Sequence, residues 1–266
     1  MTTQELETWL DQETEHFPGQ TALMVADPVT GTVFHNQMPT AVFPSASLIK
    51  VPIMLTVLDQ VSKGQFALKD PVPVSSSYLL PDSEVFEDGE TFCSMEHLIT
   101  WMIIKSDNVS ANVLLDWVGM DAVNDYCQRV LGLEQTACRR KMLDFEAASA
   151  GLENVTSVAD QFRAFSLLYR KDILTPELCD LALSILCRQR STDAMLRYIC
   201  GTTPLAHKTG SLDGVAHDCG LFLHPEHPLF VGLCSWAGPS PDGDPVQLRY
   251  LGRLGRAIHH VYIKED

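Results

Sequence analysis

The sequence predicts an α+β protein: a five-stranded antiparallel sheet built from both termini and packed against a mostly helical region. Three observations carry this. Apolar runs of strand length, separated by turn residues, lie near the two ends of the chain. Between them the apolar residues recur at helical spacing, bounded by capping and stop signals. The chain has 266 residues, 45% of them hydrophobic, enough for one large domain with a substantial core.

The elements follow in order. Thr2 and Glu5 have capping-box spacing ahead of Leu6, Trp9 and Leu10, which predicts a first helix. Thr21 to Ala26 is an apolar run. Asp27-Pro28-Val29-Thr30-Gly31 is turn chemistry, and Thr32-Val33-Phe34 resumes the strand pattern, so a hairpin is expected. Leu48, Val51, Leu55, Leu58 and Val61 mark a helix from about Ser47 to Lys63, with Gly64 as its stop. Pro52 falls just past the best helical positions for proline and predicts an irregular first turn.

Further helices are expected over Met95 to Ile104, Asn108 to Val118 and Val158 to Tyr169. Another opens at Thr175-Pro176-Glu177, with Thr175 as N-cap and Pro176 at the first helical position. Leu205 to Ser211, Ala216 to Leu223 and Leu229 to Trp236 read as three strands, the last two separated by the turn cluster His224-Pro225-Glu226-His227-Pro228. Asp244-Pro245 opens a final helix through Ile258. One domain with two lobes is expected: an α/β lobe from about 1–45 and 200–266, and an all-α lobe from about 46–199.

The net charge of −15 argues against a nucleic-acid surface and against electrostatic attachment to acidic lipid. No apolar run is long enough to span a bilayer, and Met1 to Glu5 lacks the basic and apolar regions of a secretory signal. None of the eight cysteines forms a CxxC pair, and most sit in apolar patterns as small buried hydrophobes do; reduced thiols in a cytoplasm fit best. No metal or organic cofactor is implied.

Three short motifs carry chemistry. Ser47 and Lys50 share a helix face at i and i+3, where an amine whose charge is disfavoured can take the hydroxyl proton. Taken alone, this pair also reads as a helix cap followed by a solvated lysine. Ser106-Asp107-Asn108, between two helices, offers a proton-relaying hydroxyl and an amide that both donates and accepts. Lys208-Thr209-Gly210, on an expected strand, adds a positive charge, a hydroxyl and a position where backbone can approach closely.

Ordered as S-x-x-K, S-D-N and K-T-G, with 59 residues from Ser47 to Ser106 and 102 from Ser106 to Lys208, the three resemble the motif set of class A β-lactamases and penicillin-binding proteins. The class A branch is the more similar. The resemblance implies that Ser47 is acylated by a β-lactam or related amide or ester carbonyl, and that Lys50 keeps it deprotonatable. It implies that Ser106 protonates the leaving nitrogen beside Lys208. Asn108 would hold a substrate amide, Thr209 a substrate carboxylate, and the backbone N–H groups of Ser47 and Ser211 the oxyanion. Gly210 would keep the strand flat against a small-molecule substrate.

The pattern departs from the family at one position. Setting Thr136 and Arg140 on the family's Thr and Arg puts Met142 where a deacylating Glu belongs, and a thioether is no base. Asp144 and Glu146 are nearby carboxylates, read as surface groups or partners of Arg139 and Arg140. His207 and His217 flank the site and read as strand histidines with structural bonds. The alternatives are an esterase, amidase or peptidase of the same fold acting in the cytoplasm, and a penicillin-binding module that does not hydrolyse.

Overall fold

In a computed structural model of the chain, residues 1–81, 83–89, 91–239 and 246–263 are described. The chain runs α1 (Thr3–Glu15), β1 (Gln20–Ala26), β2 (Val33–Gln37), β3 (Phe43–Pro44), a 3₁₀ turn (Ala46–Ile49), α2 (Lys50–Ser62), β4 (Pro71–Val74) and β5 (Thr91–Ser94). Next come α3 (Met95–Ile104), α4 (Asn108–Val118), α5 (Met120–Tyr126), α6 (Phe145–Ser149), β6 (Val155–Thr156), α7 (Val158–Tyr169) and α8 (Pro176–Leu186). The last elements are β7 (Leu205–Leu212), β8 (Val215–Phe222), β9 (Leu229–Trp236) and α9 (Val246–Tyr262).

Five strands form one antiparallel sheet in the order β2-β1-β9-β8-β7, as the apolar runs at the two ends predicted. Both faces of the sheet are covered. On β1, Ala22 and Met24 join the core beneath the helices, while Leu23 and Val25 join a second cluster with Leu6, Leu10, Leu251 and Leu254 of α1 and α9. This double burial explains why the strands read as continuous apolar runs. The first-helix capping box is present, with Thr2 Oγ1 accepting from Glu5 N at 3.2 Å and Glu5 Oε2 accepting from Thr2 N at 2.7 Å.

The central helix is α2, buried on every side from Lys50 to Leu58. The Pro52 ring conflicts with α-helical continuation upstream, and the chain accordingly enters α2 through the 3₁₀ turn that carries Ser47. The stretch expected to be all helical also contains short strands: β4 pairs with β5, and β6 pairs with β3 just ahead of that stretch. The α9 helix continues four residues past Ile258 to Tyr262, and the Asp244-Pro245 start signal lies outside the described residues.

Candidate active site

Ser47 is not a helix cap. It sits inside the 3₁₀ turn, after Ala46, whose φ of +44° is left-handed backbone that a residue with a Cβ adopts at a cost. Three elements hold the turn. Ser45 N donates to Asn154 O at 2.8 Å, Phe43 and Pro44 pair with Thr156 and Val155, and β7 packs across it at Gly210. A Cβ at Gly210 would lie 3.1 Å from Ser47 N and 3.2 Å from both Ala46 Cβ and Ser45 O, so glycine is what permits the approach.

Lys50 rises from the first turn of α2, fully buried. Its Nζ lies within hydrogen-bond distance of Ser47 Oγ at 3.1 Å, Ser106 Oγ at 3.2 Å, Ser106 O at 2.5 Å and Asn108 Oδ1 at 2.7 Å. Ser106 occupies the α3–α4 connection with a φ of +56°, a second left-handed non-glycine residue in the site. Asp107 fixes that connection: its carboxylate caps α4 through Ser110 N at 2.6 Å and accepts from Ser83 Oγ at 2.7 Å.

From the opposite side, Lys208 Nζ donates to Ser106 Oγ at 3.0 Å and to Thr209 O at 2.8 Å. Ser106 therefore lies between two buried amines. Burial holds the Lys208 pKa well below the usual lysine value. The Lys50 charge lowers it further, and Asp218 opposes both. The pair thus carries one positive charge more cheaply than two.

A pocket of ≈ 60 Å³ opens at Ser47 and is lined by Asn108, Arg140, Met142, Phe145 and Ser211 among others. A more polar pocket of ≈ 250 Å³, lined by Ser106, Asn108, Glu84, Lys105 and Arg190, adjoins it. The structure thus brings Ser47, Lys50, Ser106, Asn108 and Lys208 into one hydrogen-bonded set. Gly210 and Ser211 border it, and Thr209 is half-buried on β7.

Met142 lies in the Ser47 pocket, buried, with its backbone clamped by Asn112. Met142 N donates to Asn112 Oδ1 at 2.7 Å, and Asn112 Nδ2 donates to Met142 O at 3.2 Å. Among the described residues no carboxylate lines this pocket. Asp144 is exposed and caps α6 through Ala147 N at 3.0 Å, and Glu146 is exposed on α6. Of the two readings of these carboxylates, surface groups or partners of Arg139 and Arg140, the exposed positions fit the first. Arg140 bonds Glu153 at 2.7 Å, because Glu153 shares its buried side of the loop while Asp144 is committed to the helix cap.

His207 and His217 are both buried on structural bonds. His207 Nδ1 lies 2.7 Å from Asp218 Oδ1, and His217 Nε2 donates to Pro44 O at 2.9 Å. Sequence reasoning passed over Asn112, which is one helical turn from Asn108. The Ser110-Ala111-Asn112 repeat of the Ser-x-Asn spacing was the available signal. It also passed over Asp160, which gathers Glu134 N, Gln135 N and Thr136 Oγ1 to anchor the Met142 loop to α7.

A solved β-lactamase from Sphaerobacter thermophilus superimposes with a TM-score of 0.87 at 25% identity, covering 100% of both chains. PBP-A superimposes at 0.86 with 23% identity, covering 98% of this chain and 97% of its own. A β-lactamase of Bacteroides uniformis is 23% identical over 240 residues, which is 82% of this chain and 78% of that protein. The model of the β-lactamase enzyme family matches residues 2–262, nearly the whole chain, so the chain belongs to that family.

Proposed function

We propose that this β-lactamase-like serine hydrolase is acylated quickly at Ser47 by a β-lactam or a related strained amide or ester, and releases the acyl group slowly. The observation that supports it is the pair of buried lysines bridged by the Ser106 hydroxyl. In the reacting state the pair's one positive charge sits on Lys208, and the neutral Lys50 Nζ takes the Ser47 Oγ proton as Oγ bonds the carbonyl carbon. The N-terminus of α2 and the backbone N–H groups of Ser47 and Ser211 favour the negative charge that develops on the oxygen. Lys50 passes a proton to Ser106 Oγ, which delivers its own proton to the leaving nitrogen as the C–N bond breaks. Asn108 orients Lys50 and a substrate amide, and Thr209 with Lys208 receives a substrate carboxylate.

Release needs water activated by a base, and Met142 supplies none. This supports slow turnover and favours a second reading, in which the protein is an acyl trap of penicillin-binding type. A PBP-A variant of similar fold, 22% identical, has been captured as an acyl-enzyme with penicillin G. Phe145, 60% exposed at the pocket lip, favours substrates with an apolar acyl group.

All eight cysteines are free thiols, which supports a reducing, cytoplasmic setting, and the charge of −15 favours a small-molecule substrate over nucleic acid. Among the described residues no helix is long and apolar enough to cross a membrane. The sheet strands from both termini support two lobes, about 1–45 with 200–266 and about 46–199. A chromogenic cephalosporin with intact-mass detection tests the proposal. A stoichiometric burst with a mass adduct, lost in Ser47→Ala, is expected. Undiminished adduct in Ser47→Ala would sink it.

A further inference from the structure

We infer that His217 is a positioning residue for Ser47: its Nε2–H, bonded to the Pro44 carbonyl, holds the turn that presents the nucleophile. This inference rests on the acylation reading above.

His217 lies on β8, 1% exposed. Its strand partners are Gly210 on β7 and Cys234 on β9. Gly210 is the residue against which the Ser47 turn packs, so His217 stands one strand behind the contact. Its Nε2 lies 2.9 Å from Pro44 O. A carbonyl accepts, so the hydrogen is on Nε2 and the ring is the donor. Pro44 is three residues before Ser47. It immediately precedes the stretch in which Ala46 takes its left-handed φ of +44°.

That strained turn has few anchors on its upstream side. Two of them, the β3–β6 pairing and the Ser45–Asn154 bond, tie it to the 154–156 segment. The His217 bond ties it to the main sheet, the element that also carries Lys208, Gly210 and Ser211. The ring packs, tilted, with its centroid 4.8 Å from that of Phe43, which in turn stacks 5.0 Å from Trp236. The imidazole thus fixes Ser47 in the frame of the strand that offers the second oxyanion N–H. An error of a fraction of an ångström between those two N–H groups lowers the acylation rate while leaving non-covalent binding alone.

The side-chain amide of His217→Gln reaches far enough to keep a donor on Pro44 O. His217→Asn, one methylene shorter, stays polar but does not reach. Acylation by a chromogenic cephalosporin is followed by stopped flow, which separates the pre-acylation dissociation constant from the acylation rate. The expected result is a rate about 10- to 100-fold lower in His217→Asn, an unchanged dissociation constant, and a rate within about 3-fold of wild type in His217→Gln. Equal rates in all three proteins, or equal losses in both variants, would overturn the assignment. A wild type that forms no Ser47 adduct would overturn the acylation reading and this inference with it. A wild-type adduct with undiminished His217→Asn overturns this inference alone.

Discussion

Ala46, beside Ser47, and Ser106 itself both take left-handed backbone, and neither is glycine. Such conformations cost about 1–3 kcal/mol each and persist when neighbours over-determine them. Here the neighbours are the Gly210 contact and the Asp107 cap. Met142 is the other decisive residue. Met142→Glu puts a carboxylate in the Ser47 pocket, and general-base catalysis then speeds acyl release by about 10²-fold or more. The check is steady-state turnover after the burst, and an unaltered turnover rate tells against the missing-base account.

His217 also predicts a pH effect. Burial lowers its pKa to about 4, despite the carbonyls of Pro44 and Ala216 nearby. Its unfolded value is about 6.5, so the unfolded chain binds the extra proton between those limits. Stability is full above about pH 6.5 and falls as pH drops toward 4, by an amount on the order of 3 kcal/mol. Urea midpoints across that range measure it, and His217→Gln flattens the slope.

At the scale of elements, the site is a meeting of four pieces: the 3₁₀ turn, α2, the α3–α4 connection and β7. Gly210→Ala tests the closest of these contacts. The added methyl pushes β7 off the Ser47 turn, and acylation falls at least about 10-fold. Thermal stability changes little if the turn gives way by a few tenths of an ångström. A variant that acylates normally would mean that strand and turn need not touch. Much of this assembly was legible beforehand. Caps at Thr2, Thr175 and Pro176 and strict apolar periods placed the long helices and the main-sheet strands, since local chemistry dictates both. The motif order pointed to Ser47, Lys50, Ser106 and Lys208 as residues to be found together. What escaped were features set by tertiary contact. The short β4–β5 pair contains two prolines in one strand, a composition that argues against a strand. The Asn112 clamp and the His217–Pro44 bond join residues 30 and 173 positions apart, beyond any local pattern.

For the whole molecule, the placement of the thiols gives a simple test. Cys200 is exposed, Cys93 and Cys187 are partly covered, and the other five are buried. Burial pushes the Cys127 and Cys138 thiols up to about 12. A thiol reagent should therefore label Cys200 first in the native protein, and the five buried groups only as the chain unfolds. Early labelling of Cys127 or Cys138 would contradict the core described above. The sheet order has a consequence for biosynthesis. Gln20 on β1 faces Trp236 on β9, so the neighbour that covers the β1 edge is made 216 residues later. At about 5–20 residues per second that is roughly 10–40 seconds. Throughout that interval the β1–β2 hairpin waits with an uncovered edge and an apolar face. Until β9 is made, that edge of the nascent chain is open to wrong strand pairing.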